Sequence, residues 1–281
     1  MGKLRLMSNN QWWCDKNTAA WQEKGLDCSA AVRAKGFARV FSEIDADIIG
    51  LQECSMVMAD QHMQNFSNDG VGYALLWGRD TPILYKTSKF ELVFSDYLIY
   101  PSAVPGFSGK YNNEKTKSYC IAVFREKESG KYIVFGTTHL WYRTGDPKSP
   151  GCYPGSDEAR VYQLGLFMDK AESLAKEYGC PAVIVGDFNA NISSPALKSA
   201  FLKGWSHARD VATDYKDEGH GMHKCDWESF EPYVPRSYEY AIDHILLKNA
   251  PSGFVKSFVR YNEEYYMPLS DHLPVYIDVD F

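Results

Sequence analysis

The sequence predicts an α/β or α+β fold, and two patterns carry that class. Short continuous apolar runs such as Ile48-Ile49-Gly50-Leu51 and Val183-Ile184-Val185 read as strands covered on both faces. Two longer stretches, Ser29–Ile44 and Glu158–Tyr178, place apolar residues at helical spacing. Five apolar runs also close in polar islands that carry Glu53, His139, Asp187 with Asn189, Asp243, and Asp271 with His272. Strand ends are where open sheets usually present chemistry.

Taken in order, Leu4–Met7 reads as a strand leading to Asn10. A helix is expected over Ser29–Ile44, capped by Ser29, with Val32, Phe37, Val40 and Phe41 inward and Arg33, Lys35 and Arg39 mainly outside that face. Strand Asp47–Gln52 follows and delivers Glu53. Further strands are read at Ile83–Tyr85, Phe90–Val93, Tyr119–Phe124 and Tyr132–Phe135, the last two joined by the turn Glu128–Lys131. Pro101–Lys117 reads as a loop, where Lys110, Lys115 and Lys117 are either solvated charges or a substrate rim.

The run continuing through Ile133–His139 is followed by a Pro- and Gly-rich loop, Thr144–Asp157, and then by the helix Glu158–Tyr178. Gly179 and Pro181 stop that helix. Strand Ala182–Asp187 completes a strand–helix–strand unit; a second long loop, Thr213–Ser237, precedes the strand Tyr240–Leu247.

Composition narrows the function. A chain of 281 residues has enough length for a substantial core, and because the islands span both ends yet must meet at one site, a single domain over 1–281 is expected. The net charge of −6 argues against a broad basic face for long nucleic acid, although a local cleft with a divalent cation still binds phosphate on an acidic protein. The seven cysteines include no C-x-x-C pair and make an odd total, so mostly reduced thiols are expected, with a disulfide among Cys14, Cys28 and Cys152 left open. No apolar stretch reaches membrane-spanning length, and no apolar leader core precedes the first strand. A cytoplasmic, monomeric protein is the expectation.

In their order and context the islands Ile48-Ile49-Gly50-Leu51-Gln52-Glu53, Thr137-Thr138-His139-Leu140, Val183-Ile184-Val185-Gly186-Asp187-Phe188-Asn189, Ile242-Asp243-His244-Ile245 and Leu269-Ser270-Asp271-His272-Leu273-Pro274 resemble the endonuclease/exonuclease/phosphatase superfamily. The resemblance runs from Asn10 in the first strand to the last strand. It implies a four-layer α/β/β/α sandwich of two packed mixed sheets flanked by helices, and a divalent-metal-dependent hydrolase of phosphoester bonds.

The chemistry suits these residue types. Phosphoester hydrolysis needs an activated water, dispersal of charge on the phosphoryl oxygens and a stabilised leaving oxygen. Carboxylate and amide ligands favour magnesium or manganese over zinc. By the resemblance, Glu53 holds the metal, Asn10 supports it and Asp271 lies on the metal side. Asp187 orients or deprotonates the water, Asn189 and His139 donate to the phosphoryl group, and His272 acts as a cation or in proton transfer with Asp243 as its partner. Asp80 or Arg79 is the expected orienting neighbour of His139. Trp141 and Arg143, directly after an island, are expected to contact substrate.

Arg160 and Gln163 read as ties to the sheet, and His244 as a variant or supporting group. His220, His223 and Cys225 lack the second complete ligand pair of a zinc site.

A phosphodiester is slightly favoured as substrate, among nucleic acid, nucleotide, phospholipid and sugar phosphate. The alternative is a phosphomonoesterase acting on a small sugar, lipid or nucleotide phosphate. A catalytically silent binding module would have lost Glu53, Asp187, Asp271 or His272, and all four are present.

Overall fold

The computed structural model describes residues 2–70, 72–217, 238–266 and 268–281. His220, His223, Cys225 and most of the second long loop lie outside the described residues.

Two mixed sheets face each other. The first runs in the order β10 (Asp214–Lys216), β12 (Val255–Arg260), β13 (Val275–Asp280), β1 (Lys3–Asn10), β2 (Ile48–Gln52), β4 (Ile83–Lys86), β3 (Tyr73–Leu76). The second runs β5 (Phe90–Ile99), β6 (Ser118–Glu126), β7 (Tyr132–His139), β8 (Ala182–Asp187), β11 (Asp243–Lys248), β9 (Ser206–His207). Helices α2 (Ala30–Ile44) and α3 (Met56–Asp69) pack on the outer face of the first sheet, α4 (Ser156–Tyr178) and α5 (Pro195–Leu202) on that of the second. Two shorter helices, α1 (Ala19–Glu23) and α6 (Ala208–Val211), lie in connections.

The apolar runs have the two-faced burial that their lack of alternation implies. On β8, Val183 and Val185 enter the layer between the sheets, while Ala182 and Ile184 pack under α4. On β2, Ile48 joins the inter-sheet layer, and Ile49 and Leu51 meet Phe37 and Phe41 of α2. Leu164, Phe167, Met168, Ala171 and Leu174 of α4 are almost wholly buried, each large side chain contributing about 1.5–3 kcal/mol relative to exposure. Gly179, at φ +62°, ends α4 in the left-handed region as expected.

α2 departs from expectation. Val32 is exposed, and Arg33 is buried at 1% exposure. The Arg33 guanidinium donates to the carbonyls of Gln11, Trp12, Cys14, Cys28 and Leu269. A polar residue therefore occupies the inward face because it saturates loop carbonyls that the helix covers. Ser29 sits at the N-cap position without a side-chain cap bond. Cys14 and Cys28 are buried free thiols with their sulfurs 3.4 Å apart; Cys152 is a half-buried free thiol.

Among the described residues, no helix is long and apolar enough to cross a membrane.

Candidate active site

Strand register gathers the islands at one end of both sheets. Ser118, His139, Asp187 and Asp243 stand side by side across β6, β7, β8 and β11. In the facing sheet Asn10 pairs with Gln52, which places Glu53 just beyond. Gln52 links the sheets by donating to Thr137 Oγ1 at 2.8 Å. Gly186 allows β8 to run close to β7, since a Cβ there would lie 2.1 Å from the Thr138 carbonyl oxygen. Glu53 and Asn189 adopt φ of +53° and +49°, a conformation that is costly for side chains other than glycine and recurrent at functional sites.

Asp187 is at the centre. Its Oδ1 accepts from the Asn189 backbone N–H at 2.8 Å, and its Oδ2 accepts from Asn10 Nδ2 at 3.0 Å. His139 Nε2 lies 3.4 Å from Oδ2, and His272 Nε2 3.9 Å. Burial and the nearby Asp243 push the Asp187 carboxyl up to about 7 against the pull of His272 and Lys117. A base titrating near neutrality suits abstraction of a proton from water.

His272 Nδ1 meets Asp243 Oδ2 at 2.9 Å. Burial disfavours its charge, but Asp243, Asp271 and Asp187 raise its pKa well above the usual imidazole range. Ser270 ties this loop to the first sheet by donating to the Asn10 carbonyl at 2.7 Å and accepting the His272 N–H at 3.1 Å.

Glu53 is half-buried. Its Oε2 accepts the Trp13 backbone N–H at 2.9 Å, and its Oε1 accepts from Asn10 Nδ2 at 3.3 Å. Burial opposes its ionisation, but the positive charge on the neighbouring His139–Lys117 pair holds the carboxyl down, at about 2. Asp271 is pushed up to about 6 by burial and by the charges of Glu53 and Asp243, despite His272. Among the described residues its Oδ1 has no hydrogen-bond partner, and His272 Nε2 lies 3.9 Å away.

This set of oxygens fits a hard divalent cation: four carboxylates crowd together, one buried oxygen is orphaned, and two of the acids resist ionisation because they are buried beside other carboxylates. Glu53, His139 and Asp187 offer one group of atoms close enough to share an ion, and Asp187, Asp243 and His272 another. Asn10 stands beside these oxygens, its Oδ1 accepting the Trp12 backbone N–H at 2.9 Å.

Lys117, which the sequence leaves as either a solvated loop charge or part of a substrate rim, enters the site. It is buried, with Nζ 2.6 Å from His139 Nε2. It, and not Asp80 or Arg79, is the neighbour that meets His139. Desolvation lowers the Lys117 pKa while Glu53, Asp187 and Asp80 raise it. The available signal was positional, because Lys117 immediately precedes a strand that pairs with the His139 strand. The His139 pKa is driven well below the usual imidazole range by burial and then by Lys117, so Lys117 carries the positive charge of the pair.

Trp141 is a correction. It is buried, donates its indole N–H to Ser156 Oγ at 3.0 Å and packs with Tyr111 and Tyr153; it is core, and the exposed neighbour is Tyr142. Arg143 is exposed at the rim, its guanidinium over the rings of Tyr142 and Tyr153. Arg160 and Gln163 are the expected ties: Arg160 donates to the Trp141 and Arg143 carbonyls, and Gln163 Oε1 accepts the Trp141 N–H. Asn189 Nδ2 donates to the Leu140 carbonyl at 3.1 Å, linking the ends of β7 and β8. His244 supports the same loop through the Ala190 carbonyl at 2.7 Å from its Nε2, while its Nδ1 meets His207 at 3.0 Å.

Comparison with known proteins identifies the family. The Endonuclease/Exonuclease/phosphatase family model matches residues 26–272. The CCR4-Not complex 3'-5'-exoribonuclease subunit Ccr4 of Kluyveromyces lactis is 24% identical over 215 residues, which are 65% of this chain and 26% of that protein. The chain thus spans about a quarter of the length of that relative.

Among solved structures, a mannosyl-6-phosphatase of Bacteroides thetaiotaomicron superposes with a TM-score of 0.71 at 20% identity, covering 99% of this chain and 100% of that one. The human Nocturnin catalytic domain superposes at 0.64 and 18% identity, covering 99% and 93%. At such identities these two likenesses show the fold, which is the four-layer sandwich. The family match covers most of the sequence, and the chain therefore belongs to the endonuclease/exonuclease/phosphatase family.

Proposed function

We propose that the chain hydrolyses a phosphate monoester in the presence of a divalent cation, magnesium or manganese, with Asp187 as the base that takes a proton from the attacking water. The observation that carries this reading is the surroundings of Asp187: a buried carboxyl titrating near 7, fixed by Asn189 and Asn10, with Lys117, His139 and His272 around the same point.

Glu53 and Asp271 would hold the cation with Asn10 beside them, and when bound it would disperse charge on the phosphoryl oxygens and on the leaving oxygen. Asn189, His139 and Lys117 orient the phosphoryl group by donating to its oxygens. His272, kept charged by Asp243, adds a fixed positive charge. Arg143 reaches the rim from the side of Tyr142.

Sequence reasoning leaned towards a diester. The buried Lys117 moves the proposal to a monoester, since a monoester dianion gains more from an additional desolvated ammonium than a singly charged diester does. The phosphatase named among the fold neighbours is consistent with that choice. A phosphodiesterase is the second reading, favoured by the exoribonuclease relative.

The test is the rate on p-nitrophenyl phosphate against bis-p-nitrophenyl phosphate, with magnesium, with manganese and with EDTA. Metal-dependent cleavage faster on the monoester supports the proposal. Faster diester cleavage reverses the choice, and no cleavage with bound metal demonstrated removes the hydrolytic mechanism.

A further inference from the structure

We infer that His244 is a positioning residue for Asp187: it is the last ring of a one-way hydrogen-bond chain, from the Arg209 backbone through His207 and His244 to the Ala190 carbonyl, which holds the Asn189 turn in the shape that orients the base. This rests on the reading of Asp187 given above. Side chains alternate along a strand, so Asp243 meets His272 while His244, the next residue of β11, points to the other face and lies edge-on to Phe188 with 5.5 Å between ring centres. Both His207 and His244 are buried.

The direction of the chain follows from its two ends. The Arg209 backbone N–H, which can only donate, meets His207 Nδ1 at 3.2 Å, and the Tyr238 hydroxyl reaches the same nitrogen at 2.9 Å. His207 Nδ1 therefore carries no proton, and the neutral ring carries it on Nε2. That nitrogen lies 3.0 Å from His244 Nδ1, to which it donates. His244 in turn carries its proton on Nε2, 2.7 Å from the Ala190 carbonyl, which can only accept. The other tautomer of either ring, or a second proton on it, sets two N–H groups against each other.

The accepting end matters because of what precedes it. Asn189 has φ of +49°, a conformation that persists in a residue with a side chain only where its surroundings over-determine it. Its backbone N–H holds Asp187 Oδ1 at 2.8 Å, its Nδ2 holds the Leu140 carbonyl at 3.1 Å, and His244 holds the carbonyl of the residue that follows. Without His244 the buried Ala190 loses that donor, and the turn is free to relax and carry the Asn189 N–H away from Asp187.

The test measures kcat and KM, with magnesium, on whichever nitrophenyl ester is cleaved faster, together with hydrogen exchange of the Asn189 backbone amide by nuclear magnetic resonance. It uses the native chain, His244→Phe, His244→Gln, His207→Phe and the double phenylalanine variant, each well below its melting midpoint. His244→Phe keeps a ring beside Phe188 and loses the donor. It should lower kcat about tenfold to a hundredfold, the effect of a small misplacement of a reacting group, with a smaller change in KM and faster exchange at Asn189. His244→Gln, whose amide donates to Ala190, should recover most of both. His207→Phe should act in the same direction, and the double variant should be no worse than His244→Phe, as for members of one unit.

Native kcat in folded His244→Phe, no recovery in His244→Gln, or single effects that multiply in the double variant would each overturn the inference. If His244→Phe does not fold, His207→Phe decides, since native kcat and native exchange there break the chain. If no ester is cleaved, the hydrolytic reading fails and exchange alone decides: Asn189 faster in His244→Phe and restored in His244→Gln sustains the chain, and equal exchange in all variants removes it.

Discussion

The Lys117 ammonium lies 2.6 Å from Nε2 of His139, and the two cannot both be charged at that distance without a large repulsion. Burial lowers the Lys117 pKa against the opposing pull of Glu53, Asp187 and Asp80, while burial and then Lys117 drive His139 well below the usual imidazole range, which leaves the ammonium as the charged member. The pair thus presents one fixed cation and one neutral imidazole to a phosphoryl group.

Lys117→Met should therefore lower kcat about a hundredfold to a thousandfold, the effect of removing one preorganised donor from a developing oxyanion. Lys117→Arg should recover part of that loss, and the monoester should suffer more than the diester. Steady-state rates on both nitrophenyl esters read this out. An equal, small effect on the two would remove Lys117 from phosphate binding.

Arg33 should matter as much to stability as any core aromatic. Its guanidinium joins α2 to the 11–14 loop and to Leu269, so it supports both the Trp13 N–H that holds Glu53 and the loop carrying Asp271. Arg33→Met leaves five buried carbonyls short of a donor, and the expected loss is about 3 kcal/mol or more. Urea unfolding at neutral pH measures it. Arg33→Lys should recover little, because one ammonium has three donors and cannot span those carbonyls.

The contrast between these residues shows what the chain makes legible. The islands could be read because strands covered on both faces are written as unbroken apolar runs, and because the islands come in a family order. Helix α4 carried its own periodicity and its Gly179 stop. Arg33 was misplaced because helical periodicity sorts residues by polarity, and a buried arginine that satisfies distant carbonyls has no local signature. Helix α3 went unread for a related reason, since its buried face includes His62 beside Met58, Ala59 and Phe66. Lys117 and Trp141 were exchanged in role: one follows a polar loop and turns inward, the other follows an island and turns into the core. The left-handed backbone at Glu53 and Asn189 is set by tertiary contacts, and neither residue type announces it.

Three buried histidines each withdraw stability on the acid side of about pH 6.5. Burial depresses the pKa of His62 to about 3 and of His244 to about 4, and holds His207 well below its usual range. Each of these imidazoles takes up a proton on unfolding but not while folded. Their stabilisation is complete above about 6.5 and is lost as pH falls towards the folded values, at up to about 1.4 kcal/mol per pH unit for each group. His272 is shifted the other way and acts above 6.5. The carboxyls of Asp80, Asp187 and Asp271, raised to about 7, 7 and 6, gain protons in the fold over the same range and oppose this loss, so the readout is a difference: from about pH 7.5 to 5 the thermal midpoint of His62→Leu should rise relative to that of the native chain. Parallel curves would mean that His62 is protonated in the fold.

Asp271→Asn separates the charge of the site from its fold. The Asp271 carboxyl is raised from 3.8 to about 6 by burial and by the neighbouring acids, so its ionised form opposes folding. That opposition begins above the unfolded value, is complete above about 6 and vanishes as the group is protonated in acid. In the metal-free protein at about pH 7.5, Asp271→Asn should consequently raise stability by about 1–3 kcal/mol. With magnesium or manganese the native chain should gain stability by mass action, because the cation supplies the charge that the acids lack. The asparagine variant should show little of this gain. Melting curves with EDTA and with millimolar metal measure both effects without reference to turnover. A variant that is less stable without metal, yet gains as much from it as the native chain, would place the cation elsewhere among the carboxylates.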